Sequence, residues 1–250
     1  MARAAMAWPA SLASLLALAT CLAAAPATGG DLRIAPVSLT LQAGEAAAVL
    51  WLSNTGQAPM HAQARIFAWT QVDGREVLAP TRDLAVSPPL LEIPPQQRQL
   101  VRVLRLTDLD PAVESSYRLV VDELPAAAPP ADAPATPLLR YSLPVFVPTA
   151  APPLGARLSA RVEDDAGGRR MLRLDNTGDR HARIAELAFI GAGGRVHPLA
   201  PNLAGYVLAG RYKHWPMPAD AGDPPYGRFQ ADVDGRPVVL VPAPDRLGGR

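Results

Sequence analysis

The chain has 250 residues, 24 of them Lys or Arg and 23 Asp or Glu, for a formal charge of +1. That balance leaves no cationic surplus to recruit nucleic acid or an anionic membrane. With Cys21 as the single cysteine there can be no disulfide framework within the chain, so its stability must rest on a hydrophobic core.

Met1-Ala2-Arg3 leads into an apolar run from Ala10 to Ala25 and then small residues, the layout of a secretory signal peptide. The run is too short and too Ala-rich to span a membrane. Pro26 would make a poor new amino terminus, so the expected signal peptide is 1–27, cut after Ala27. Leu18-Ala19-Thr20-Cys21 is an imperfect acylation box, so Cys21 either leaves with the signal or carries a lipid. About 220 residues remain, room for two ordinary domains.

From Leu32 onward, short apolar or alternating runs alternate with turn signals, and no long stretch has helical periodicity. The pattern predicts an all-β chain. Strands are expected at 38–42, 47–53, 60–71, 76–78, 98–106, 117–124 and 138–147, seven in the first half, which suits an immunoglobulin-like sandwich. Asn54-Thr55-Gly56 and Asp73-Gly74 are expected to turn through positive φ. Ser87-Pro88-Pro89 and Ile93-Pro94-Pro95 remove backbone donors and predict an edge or a crossing between sheets. Pro144 predicts that part of the last strand is paired on one side only. A Pro-rich connector, 149–154, separates the domain 28–148 from a second one, 155–250, with strands at 156–163, 171–176, 182–190, 195–199, 205–208, 212–216, 227–233 and 237–241.

The last run of the first half alternates Leu139, Tyr141, Leu143 and Val145 on one face against Arg140 and Ser142 on the other. Such a ladder either fills its own core or is lent to a partner. No Gly-x-Ser-x-Gly, His-Glu-x-x-His, phosphate-cradling loop or cysteine nucleophile is present, so no enzyme is predicted, nor a cofactor. His61, His181, His197 and His214 lack ligand spacing and read as surface or turn residues, with no metal site. Asp232-Val233-Asp234-Gly235 reads as a hairpin turn, and Trp51 and Trp69 as core.

An ordered set of segments carries a resemblance. It runs through Ala35-Pro36-Val37-Ser38-Leu39-Thr40-Leu41, Leu52-Ser53-Asn54-Thr55-Gly56, Ala64-Arg65-Ile66-Phe67-Ala68-Trp69, Val86-Ser87-Pro88-Pro89, Glu123-Leu124-Pro125 and Arg140-Tyr141-Ser142-Leu143-Pro144-Val145-Phe146-Val147, then Asn176-Thr177-Gly178 and Gly205-Tyr206-Val207-Leu208. The chain resembles the periplasmic pilus chaperones of chaperone-usher systems, most of all their archaic, spore-coat-U-associated branch. The resemblance implies two immunoglobulin-like β-sandwich domains in a boomerang arrangement, located in the periplasm. It implies partners too: pilus or fimbrial subunits that lack a final strand, an outer-membrane usher, and self-association when free.

On this resemblance the last strand of the first domain is donated to the subunit, so Leu139, Tyr141, Leu143 and Val145 would bind it, with Val145 equally suited to the chaperone's own core. The family's better-known branch anchors the subunit's terminal carboxylate with an arginine in the first strand and a lysine in the last; here those positions correspond to Ser38 and Pro144. Arg140, Arg65 and Arg102 are candidate substitutes, because a guanidinium grips a carboxylate with two hydrogen bonds. Two other classes stand beside this one: a secreted or lipid-anchored two-domain structural or adhesion protein, and a carbohydrate-active enzyme or lectin.

Overall fold

The computed structural model describes residues 31–108, 112–125, 138–152, 154–219 and 227–242; the expected signal peptide with Cys21 and the 126–137 loop lie outside them. The described residues form seventeen strands and no helix.

One sheet has the order β1 (Leu32–Ala35), β3 (Ala47–Asn54), β8 (Arg98–Arg105), β6 (Leu84–Ser87). Its partner runs β2 (Leu39–Thr40), β10 (Arg140–Val147), β9 (Ser115–Leu124), β4 (Met60–Val72), β5 (Arg75–Pro80), with β7 (Leu90–Ile93) also against β4. Period-two alternation sends Leu50 and Leu52, Val101 and Val103, Leu119 and Val121 into one core between the sheets. The crossing expected at Ser87-Pro88-Pro89 is there: β6 lies in one sheet and β7 in the other. Strands β1, β6 and β7 escape the sequence pattern because each has only four residues, too few to establish a period.

The second half builds a three-stranded sheet of β11 (Leu158–Asp164), β12 (Arg170–Asn176) and β15 (Tyr212–Pro216). A four-stranded one faces it: β14 (Val196–Val207), β13 (Ala182–Ile190), β16 (Arg228–Val233), β17 (Arg236–Leu240). A core around Leu172, Leu174, Ile184, Phe189 and Phe229 lies between them. The runs expected separately at 195–199 and 205–208 form one long strand, β14, whose irregular register against β13 absorbs the interruption.

Asp73 and Gly74 turn with φ of 50° and 71°, as expected, and so do Asp234 and Gly235, at 52° and 82°. Asn54-Thr55-Gly56 works differently, with none of the three at positive φ. Asn54 is buried; its Nδ2 donates to the carbonyls of Ala58 at 2.8 Å and Ile93 at 2.9 Å, and its Oδ1 accepts from Gly56 N at 2.9 Å. Asn176 repeats the device in the second sandwich, donating to Arg180 O at 2.7 Å and Val207 O at 3.1 Å and accepting from Gly178 N at 3.0 Å. A side-chain amide fits because it supplies donors and an acceptor where the chain leaves the ladder.

Candidate functional site

Strand β10 is paired along its full length with β9, from Arg140↔Asp122 to Val147↔Ser115, but β2 joins its other edge only at Val145 and Phe146. Leu139 O accepts from Glu123 N on β9, and Phe146 O accepts from Leu41 N on the opposite side. Backbone groups alternate in direction along a strand, so odd residues of β10 face β9 and even ones face the outer edge. From Arg140 to Pro144 that edge carries the N–H and C=O of Arg140 and Ser142 and the C=O of Pro144, with no strand beside them among the described residues. One-sided pairing at Pro144 is what the missing N–H predicts.

The side chains of the predicted ladder divide. Leu143 is 5 % exposed and Val145 fully buried, both within the first sandwich's own core together with Val147. Tyr141 is half-buried against that core and its Oη donates to Leu32 O at 3.1 Å, bridging to β1 in the facing sheet. Leu139 is 37 % exposed at the open end, where its N–H donates to the Glu123 carboxylate at 3.2 Å. Only Leu139 and Tyr141 therefore keep apolar surface outside the core.

The candidate arginines separate in the same way. Arg65 and Arg140 flank Asp122 on the outer face of the β4–β9–β10 sheet, Arg65 Nη2 at 2.6 Å and Arg140 Nε in direct contact. Burial works to raise the Asp122 pKa, but hydrogen bonds from Arg140 and Arg65 outweigh it and hold the carboxyl below its ordinary value. Arg102 lies on β8 in the opposite sheet, between Val49 and Ser87, and cannot join them.

Beyond Pro144 the outer face of β10 is covered by the second sandwich. Phe146 joins Trp69, Tyr206 and Leu208 in a cluster of its own, and the His181 ring stacks on Phe146 at 3.6 Å between centroids. Leu143 to Val147 are buried without alternation because one face meets the first core and the other this junction. Gln71 locks it: Nε2 donates to Tyr206 O at 2.7 Å and Oε1 accepts from Leu208 N at 3.0 Å. Buried Glu114 accepts from His181 N at 3.0 Å and lies 2.6 Å from its Nδ1. Arg118, register partner of Pro144, stacks 3.7 Å over Trp69 and pairs at 3.2 Å with Glu76, which also binds Lys213 Nζ at 3.0 Å.

Two sequence expectations are corrected here. The histidines are not simply surface or turn residues: His181 lies in the junction, His214 hydrogen-bonds Glu163 at 2.7 Å beside Gly74, and His197 is 7 % exposed. Trp51 is not core; it is 36 % exposed on the outer face of β3, with Arg98 over its ring, because its register places it opposite in phase to Leu50 and Leu52. Trp69 is buried, but in the junction rather than in either sandwich core. Among the described residues no His, Cys, Asp and Glu group could hold a metal ion, and no helix is long and apolar enough to cross a membrane.

The profile of the pili and flagellar-assembly chaperones, PapD N-terminal domain, matches residues 31–151. The first sandwich therefore belongs to this PapD-like chaperone family. A chain of the CsuC–CsuE chaperone–tip adhesion subunit complex, from the archaic chaperone-usher Csu pili of Acinetobacter baumannii, superposes with a TM-score of 0.68 at 22 % identity, covering 85 % of this chain and 99 % of that one. The CupB2 chaperone of Pseudomonas aeruginosa gives 0.58 at 18 %, over 84 % and 100 %. A chain of the Salmonella enterica SafA pilin–SafB chaperone complex gives 0.60 at 19 %, over 85 % and 97 %. No curated protein matches by sequence. At these identities the superpositions establish the fold, a pair of immunoglobulin-like sandwiches, and the PapD-like assignment supplies the role of pilus-assembly chaperone.

Proposed function

We propose that this PapD-like protein is a periplasmic chaperone that lends β10 to fibre subunits lacking their last strand and passes them to an outer-membrane usher. The observation that carries the reading is the outer edge of β10 from Arg140 to Pro144, unpaired among the described residues and opening beside Leu139 and Tyr141. An incomplete sandwich exposes an apolar groove and unpaired backbone, and a strand laid along this edge would satisfy both. Leu139 and Tyr141 are the side chains placed to enter the groove, each contributing about 1 kcal/mol as its remaining apolar surface is buried. Leu143 and Val145 serve as the rigid footing of that strand. The chaperone–subunit complexes formed by similar structures support the reading.

The same geometry supports a choice of carboxylate anchor. Arg65 and Arg140 share the neutralising charge of Asp122, whereas Arg118 sits across the ladder from Pro144, the position where the family's lysine is expected. Arg118 and Lys213, the only lysine of the chain, share the single carboxylate of Glu76 just as Arg65 and Arg140 share Asp122, so the place of Arg118 opposite Pro144, and not a charge count, favours this pair. We assign the anchor to this pair. Affinity capture from the periplasm with mass spectrometry tests both points. The wild type retains a β-rich subunit with a free amino-terminal extension, Leu139→Glu with Tyr141→Glu loses it, and Arg118→Lys retains more than Arg118→Gln. A folded ladder variant that captures as well as wild type, or a wild type that captures no such subunit, ends the reading.

A further inference from the structure

The outer face of the β1–β3–β8–β6 sheet contributes to neither core nor to the junction, and its make-up is one-sided. Its registers stack it in rows. Arg33, Ser53 and Arg98 form one; Ala35, Trp51 and Leu100 the next; Val49 and Arg102 a third. Trp51 is 36 % exposed and Val49 47 %. Two cationic rows thus enclose an apolar one. None of the four strands contains an acidic residue, although acids and bases nearly cancel over the whole chain. Arg98 lies 4.2 Å over the Trp51 ring, which orients its guanidinium, and Arg33, Arg98 and Arg102 form no ion pair among the described residues.

We propose that this face docks an extended acidic protein segment with two carboxylates four residues apart and an aliphatic side chain midway between them. Arg98 and Arg102 stand on one strand, four positions and about 13 Å apart, and a segment in the same extended conformation repeats with that spacing. Its first carboxylate meets the Arg33–Arg98 row, its middle side chain the Trp51–Leu100 row, and its second carboxylate Arg102. Arginine suits the ends because its planar fork holds a carboxylate at two points, and a tryptophan beside arginine is the composition of an interface anchor. A lipid surface fits less well, since the face is a flat sheet whose one aromatic ring is covered by a guanidinium instead of projecting.

The test is fluorescence anisotropy of the full chain with a labelled peptide, Thr-Glu-Ser-Leu-Ser-Glu-Thr, and with its form carrying Gln for both Glu. The acidic peptide should bind, more weakly as salt rises, and the Gln form should not. Arg98→Gln and Arg102→Gln should each weaken binding about five-fold. Arg169→Gln, in a hairpin of the second sandwich, should leave it unchanged. Equal binding of the Gln peptide, no binding by wild type, or full binding by folded R98Q/R102Q overturns the proposal. So does arginine-dependent binding of phosphatidylglycerol vesicles in place of the peptide. R98Q/R102Q that still captures subunit separates this face from the β10 edge, so the two can fail independently.

Discussion

Asn54 and Asn176 show how much one amide can hold. Each is buried where a strand leaves its sheet and satisfies backbone groups on two other segments. Alanine there leaves buried carbonyls without donors, so Asn54→Ala should cost about 2–3 kcal/mol in chemical denaturation. Asp122 gives a prediction in pH. Its pKa is lower in the folded protein than in the unfolded chain, so its contribution is complete above the ordinary carboxylate value of about 4 and is lost as pH falls through the folded value. Asp122→Asn should therefore lower the melting temperature at neutral pH and flatten its decline in acid. A variant whose acid limb parallels that of wild type would show that the two arginines do not stabilise the carboxylate.

For the elements, β10 is the strand whose sequence carries two messages. Its alternation was legible, and so was one-sided pairing, because a proline without an N–H leaves few other places to stand. Which face the ladder serves was not legible. Leu139, Tyr141, Leu143 and Val145 share one period, and only the end of the facing sheet, at Leu32 of β1, decides where the core stops along it. Substitution separates the two ends. Val145→Ala should destabilise the protein by about 1–3 kcal/mol, whereas Leu139→Ala, at the exposed end, should change stability by less than about 1 kcal/mol. Equal losses at both positions would mean that the core extends to Leu139. The four-residue strands and the outward phase of Trp51 were hidden for a related reason: a short run or a single aromatic does not state its register.

For the whole molecule, the junction was the least legible part. Gln71 meets residues 135 and 137 positions away, and Glu114 meets His181 across 67, separations that no local pattern encodes. The hairpin between β4 and β5 reaches the second sandwich through Gln71, Glu76 and Gly74, and a Cβ on Gly74 would collide with the His214 ring. Gln71→Ala strands Tyr206 O and Leu208 N and should split one calorimetric transition into two. Gly74→Val, pushed off His214, should raise the radius of gyration in small-angle scattering. Unchanged transitions and scattering in both would show that the apolar cluster alone fixes the junction.

The Gln71 contact has an evolutionary consequence. Both of its hydrogen bonds go to main chain, so it recognises the path of β14 and not the side chains at 206 and 208. Those positions can drift among residues of suitable size without breaking the clamp, whereas position 71 cannot. Natural variation at this junction should accordingly be lopsided, with one amide held fixed on the first sandwich facing a permissive surface on the second.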